Sequence, residues 1–204
     1  MPKPRRALIK RKTVETDVSL EINLDGKGSS YIKTPLDFLN HMLTLFAKHG
    51  TFSLRLKARG DTRVDIHHTN EDIGICLGLA LKKALGKKIG IRRFGFASLP
   101  MDEALVEVSL DMSGRPYLKV ASRQSPVASR QSQIANQEYD FNYLKQFLQA
   151  LVNNAGITLY VEVIYGEDLH HIIEAVFKAL ARALQEAVSL DPRIEGILST
   201  KGML

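Results

Sequence analysis

Apolar residues recur at helical spacing in four stretches of the chain, and the stretches come in matching pairs. Ile73, Leu77, Ala80, Leu81 and Ala84 mark one amphipathic helix, and Val176, Leu180, Ala183, Leu184 and Val188 mark another; such spacing lays one apolar stripe against a core. Each of these helices opens on the same cassette. His67-His68-Thr69-Asn70-Glu71 returns, 103 residues later, as His170-His171-Ile172-Ile173-Glu174. Upstream, F-L-N-H-M-L at 38–43 parallels Y-L-K-Q-F-L at 143–148, and each opens a further helix that ends near a glycine, Gly50 or Gly156. A strand-like stretch follows in both places, at 51–56 and at 157–164, the second rich in β-branched and aromatic residues. Further strands are predicted at 14–24, 104–110 and 117–120.

The chain is therefore predicted to be an α+β fold with an internally duplicated subunit: two halves, each a mostly antiparallel four-stranded sheet with helices on one face. Residues 1–92 form the first half and 93–204 the second, together one compact catalytic subunit. The glycine-rich, basic stretch 86–95 reads as the joint between them, and the polar, aperiodic stretch 122–137 as a loop. At 204 residues, 45% of them hydrophobic, the chain can bury a real core.

All six histidines fall in three short stretches: His41 and His49, His67-His68, and His170-His171. Residues four apart share a helix face, so His67 converges with Glu71 and His170 with Glu174, each pair able to grip one divalent metal. Adjacent residues point about 100° apart, so His67 and His68 cannot readily serve one ion. The simplest arrangement is two metals, each taking one histidine from each cassette, and two cassettes 103 residues apart need not meet within one subunit. A single His-His pair is often only a solvated surface feature; two copies at equivalent places of a duplicated chain point to ligands. Nitrogen and oxygen donors without thiolate suit Mn, Zn, Fe, Co or Ni, and a six-coordinate site favours Mn or Fe over a closed structural zinc.

Charge and composition narrow the alternatives. The net charge of +6 is spread along the chain, with no aromatic stacking platform, which argues against nucleic acid and for a small anionic substrate. No stretch approaches the roughly 20 apolar residues of a membrane span, and no signal-peptide core follows the basic N-terminus, so a cytoplasmic location is expected. Cys76, the single cysteine, reads as a buried structural thiol. Neither a P-loop nor a dinucleotide-binding glycine fingerprint is present.

The stretches F-L-N-H-M-L-T-L-F-A-K-H-G, H-H-T-N-E-D-I-G, G-I-R-R-F-G, P-M-D-E-A-L, D-M-S-G-R-P-Y, H-H-I-I-E-A-V-F-K-A-L-A-R-A-L and S-T-K-G, in this order from about residue 12 to 202, closely resemble the imidazoleglycerol-phosphate dehydratase family of histidine biosynthesis. The resemblance implies removal of water from imidazoleglycerol phosphate to give imidazole-acetol phosphate, by a homo-oligomer of 24 subunits with active sites at subunit contacts and two Mn2+ per site, other divalent metals being possible. It places metal ligands at His41, His67, His68, Glu71, His170, His171 and Glu174. It places the substrate phosphate at Arg93, Arg115, Lys178, Ser199 and Lys201, with Glu15 and His49 as further substrate contacts. The metals would act as Lewis acids on the substrate's ring nitrogens while a carboxylate removes a carbon-bound proton. Glu174 is the expected base, with Glu71 its counterpart in the other half.

Three positions depart from the family's pattern. Gln146 stands where a ligand histidine is usual, Tyr160 where another histidine is common, and Asn40 where an aspartate is common before His41. Glutamine is a weaker, neutral donor, so the second metal is expected to be held more loosely, to take a water instead or to be missing. Two other functions stay open at this point: a metal-dependent phosphohydrolase, and a metal-assembled shell protein that has lost turnover.

Overall fold

The structure, a computed structural model, describes residues 4–123 and 139–203. In chain order these residues form β1 (Arg6–Lys12), β2 (Thr16–Asn23), β3 (Ser30–Lys33), α1 (Asp37–His49), β4 (Ser53–Gly60), α2 (His67–Leu85), β5 (Phe94–Met101), β6 (Ala104–Asp111), β7 (Tyr117–Ser122), α3 (Phe141–Ala155), β8 (Thr158–Tyr165) and α4 (Leu169–Val188). Strands and helices follow one another in the same order twice. The sheets repeat it too, as β1-β2-β4-β3 and β5-β6-β8-β7, and in each the last neighbours, β3 with β4 and β7 with β8, are parallel while the others are antiparallel.

Strand alternation decides which face of each sheet is covered. Val18, Leu20 and Ile22 of β2 and Leu54, Leu56 and Ala58 of β4 are buried, as are Val106, Val108 and Leu110 of β6 and Leu159, Val161 and Val163 of β8; successive side chains of a strand point to opposite faces, so one face of each sheet is apolar. The helices cover it. On the first sheet α2 packs against β1 and β2 and α1 against β3; on the second, α4 packs against β5 and β6 and α3 against β7. The halves then meet helix to helix, α2 on α3 and α1 on α4. Between α2 and α3 the backbones come unusually close. A Cβ on Gly74 would lie 2.8 Å from the Phe147 carbonyl oxygen, and one on Gly78 2.5 Å from that of Leu151, contacts that only glycine allows.

Three strands fall outside the predicted elements. β1 takes up most of what reads as a basic N-terminal cluster: Arg6, Lys10 and Lys12 are exposed while Ala7 and Ile9 turn inward, and charges of this kind suit a sheet edge. β3 is only four residues long. β5 begins inside the predicted joint 86–95 because Gly95 is not a linker glycine; a Cβ there would lie 1.8 Å from the Ala183 carbonyl oxygen, so this strand rests directly on α4. Of the stretch read as a loop at 122–137, Ser122 ends β7, Arg123 pairs with Glu162 at 2.9 Å, and the remainder lies outside the described residues.

Candidate metal centre and anion site

Helix α4 starts where Asp168 accepts the His170 backbone N–H at 2.7 Å, a cap that satisfies one orphan donor of the first turn. One turn on, Glu174 is only 6% exposed. Its Oε2 lies 3.4 Å from His170 Nε2 and 3.5 Å from His41 Nε2, which α1 brings in from the other half. Its Oε1 accepts from Lys178 Nζ at 2.6 Å. Burial pushes the Glu174 carboxyl upward, but the ion pair with Lys178 and the contact with His41 outweigh it and hold the group below its ordinary value. Phe38, one turn before His41, sets its ring edge-on to His170, 5.2 Å between centroids.

The trio His41, His170 and Glu174 fits a divalent ion. Neighbouring donors that each lie about 2.1–2.2 Å from one ion are roughly 3 Å apart; Glu174 Oε2 lies 3.4 and 3.5 Å from the two imidazole nitrogens, and all three donors lie within 4.8 Å of one another. The donor set, two imidazoles and a carboxylate with no thiolate, suits a first-row divalent metal. A second group of metal-capable side chains gathers Glu15, Asp61 and His68.

At the start of α2 the pattern is related. Asp65 accepts the His67 N–H and the Tyr143 hydroxyl, both at 2.9 Å, and these bonds lower its pKa. His67 Nε2 and Glu71 Oε2 are 3.5 Å apart, the i,i+4 pair expected from the spacing. The second histidine of each cassette is oriented through Nδ1: that of His68 lies 3.1 Å from Asp61 and 3.5 Å from Glu15, and that of His171 lies 2.7 Å from Glu103. Hydrogen bonding to Asp61 and Glu103 raises the two imidazoles. Glu103, accepting from the Asp168 backbone N–H and from His171, falls to about 2. A carboxylate on Nδ1 fixes the tautomer and leaves Nε2 as the donor nitrogen, the usual device behind ligating histidines; in His171 that nitrogen lies 3.7 Å from Asp102. Asp61 and Glu103 were not among the predicted residues. Their signal is faint: an aspartate seven residues before His68 and an acidic pair, Asp102-Glu103, far away in sequence.

Neither three-membered group among the described residues combines His67 or His68 with His170 or His171, and the pairing expected from sequence does not require the cassettes to meet within one subunit. The helix packing underlies this grouping, since α2 lies on α3 and α4 on α1.

The basic residues divide likewise. Lys178 sits with Glu174 and also reaches Met101 Sδ at 3.2 Å. Arg93 lies beside the far end of α4, its N–H bonded to the Ala187 carbonyl, nine residues and about 13 Å of helix from Lys178. Its guanidinium pairs with Asp111 at 2.7 and 3.0 Å and donates to the Leu198 carbonyl at 2.8 Å, so it pins the C-terminal segment that carries Ser199 and Lys201. Arg115 and Lys201 are exposed. His49, at the end of α1, is lowered by burial and then by the charge of Lys178.

Comparison with known proteins settles the family. The family model for imidazoleglycerol-phosphate dehydratase matches residues 34–184. The chain belongs to the imidazoleglycerol-phosphate dehydratase family. It is 52% identical over 200 residues to the imidazoleglycerol-phosphate dehydratase of Geobacter metallireducens, covering 98% of this chain and 99% of the relative. Against that of Caldanaerobacter subterraneus subsp. tengcongensis it is 53% identical, covering 98% and 100%. Among solved structures, the Staphylococcus aureus enzyme superposes with a TM-score of 0.78 at 36% identity over 91% of this chain and 99% of that one. The IGPD structure from Pyrococcus furiosus gives 0.79 at 39% identity over 96% and 100%. Membership makes the chain a hydro-lyase of histidine biosynthesis, from a metal-dependent family, and selects the dehydratase reading over the phosphohydrolase one.

Proposed function

We propose that this chain dehydrates imidazoleglycerol phosphate to imidazole-acetol phosphate at sites that hold two divalent ions, Mn2+ foremost, and that are completed by a second copy of the chain. The observation that carries the reading is the trio His41, His170 and Glu174, three donors from two helices converging on one point in a chain of this family. His67 with Glu71 supplies the other half's share, and His68 and His171, held through Nδ1 by Asp61 and Glu103, supply donors to a neighbouring copy. A divalent ion held there supplies Lewis acidity to the substrate's imidazole ring. The separation of the cassettes within one chain, and of Lys178 from the Arg93 end of α4, supports completion across a subunit contact. On this reading the two halves, 1–92 and 93–204, work as one catalytic subunit, and 24 copies assemble in the cytoplasm.

The protein's own groups divide the remaining work. Lys178, Arg115, Ser199 and Lys201 present an ammonium group, a guanidinium, a hydroxyl and a second ammonium group to the phosphate, a donor set suited to a dianion, and Arg93 positions the segment that bears two of them. His49 lies beside Lys178 as a substrate contact. Glu174 has both oxygens engaged and is held as a carboxylate below its ordinary pKa, so it serves as ligand better than as base. Glu71 has His67 to share an ion with. Glu15 is left as the half-exposed carboxylate beside a cassette histidine, 3.5 Å from His68, and takes the carbon-bound proton.

The reading predicts that Glu15→Gln keeps metal uptake while turnover falls by about 10²–10⁴, the usual contribution of a positioned acid or base. His170→Ala should lose both an ion and turnover. Mass photometry of the assembled protein should read 24 copies; a monomer that turns over would contradict completion by a second copy.

A further inference from the structure

The chain carries the same donor arrangement twice, and the two versions are chemically unequal. His67 and Glu71 on α2 repeat the spacing of His170 and Glu174 on α4, 3.5 against 3.4 Å. Helix α3 lies on α2 and α1 on α4, the first pair packed the closer through Gly74 and Gly78. Tyr143 reaches Asp65 at 2.9 Å and its carbonyl accepts from Asn70 Nδ2 at 2.8 Å, while Phe38 lies against His170. Three residues beyond Phe38 comes His41; three beyond Tyr143 comes Gln146. An imidazole in one half is thus an amide in the other. The amide has an unusual environment: Gln146 Oε1 is buried and accepts no hydrogen bond among the described residues, which costs a folded protein free energy that a cation at that oxygen would offset.

We propose that the two metal positions of this chain differ in strength and in hardness, His41, His170 and Glu174 forming the tight one, and His67, Glu71 and Gln146 a weaker one in which the amide oxygen replaces the imidazole. The inference rests on the cassettes being metal ligands, as proposed above. His68 and His171 occur once per half and leave the difference untouched. Neutral imidazole suits Zn, Fe and Ni, whereas a carbonyl oxygen suits Mn and Mg. Limiting zinc should therefore enter the His41 position first and leave manganese in the other.

The test is a Mn2+ titration of the metal-stripped, fully assembled protein, following the free-ion signal by electron paramagnetic resonance. Two classes of one ion per chain are expected, their dissociation constants at least about tenfold apart, the lower end of what even an outer-shell change does to a site. Gln146→His should merge the classes, and His41→Gln should weaken the tight one by a similar factor. Two ions of one class in the parent protein would overturn the inequality while leaving the metal centre intact, as would a Gln146→His isotherm superimposable on the parent's. Absence of any bound ion would overturn the metal centre itself. One equivalent of zinc provides a check without any variant: loss of the tight manganese class with the weak class retained supports the inequality, and equal loss from both classes contradicts it.

Discussion

Removing the ammonium group that faces Glu174 should show how far the buried carboxylate depends on it. Lys178 Nζ is 2.6 Å from Glu174 Oε1, with side-chain exposures of 17% and 9%, so the pair is largely out of water. A hydrogen bond to a charged group contributes about 1.5–3 kcal/mol, and stripping one partner from a buried pair costs about 3–5 kcal/mol. Glu174 keeps His41 and His170, so Lys178→Met is expected to destabilise the metal-free protein by about 2–3 kcal/mol at pH 7. The penalty depends on pH. In the parent the folded carboxyl titrates below its ordinary value, so its pairing stabilises above that value and is lost as pH falls through the folded pKa. In the variant burial, the largest single influence on this group, is opposed mainly by His41, and the folded pKa moves up. The unfolded carboxyl is common to both proteins, so the difference between them is full near neutrality and shrinks as pH falls through the variant's folded pKa toward the parent's lower one. Urea unfolding of the parent, Lys178→Met, Glu174→Gln and the double variant at pH 7 and pH 4 measures it. The double-mutant cycle should give a coupling of at least about 1 kcal/mol at pH 7 and less at pH 4; a pH-independent penalty, or a coupling near zero, refutes the reasoning.

Two further expectations concern the helix layer. Gly78→Ala should lower the melting temperature in calorimetry, because the new Cβ would meet the Leu151 carbonyl at 2.5 Å and Asn154 Cβ at 2.8 Å. Such overpacking costs about 1–3 kcal/mol, against roughly 1 kcal/mol gained in helix propensity, and a raised melting temperature would show that α2 and α3 separate freely. Cys76 is fully buried and its thiol is pushed up to about 11 by desolvation, so the folded protein should not react with a disulfide reagent at pH 8. One thiol per chain should appear on denaturation, and rapid labelling before it would place Cys76 at a surface.

Elements with strong local periodicity could be read from the chain, and those defined by tertiary approach could not. α2 and α4 announce themselves by apolar spacing and by their shared cassette. β5 hides behind Gly95, whose reason is the α4 backbone beneath it, and β1 behind its alternating cations. At the site, His67 with Glu71 and His170 with Glu174 follow from helix geometry alone. The arrival of His41 at Glu174 does not, since it depends on how α1 crosses α4. Asp61 and Glu103 escaped notice for a related reason: a carboxylate that orients an imidazole needs proximity in space, and its sequence position carries no period.

The central claim is that this chain turns over, and the most direct measurement is formation of imidazole-acetol phosphate from imidazoleglycerol phosphate by protein stripped of metal and then titrated with Mn2+. The account predicts no product without metal, and activity that rises with manganese and saturates near two ions per chain. Full metal uptake with no product would contradict it and leave a metal-assembled shell without catalysis.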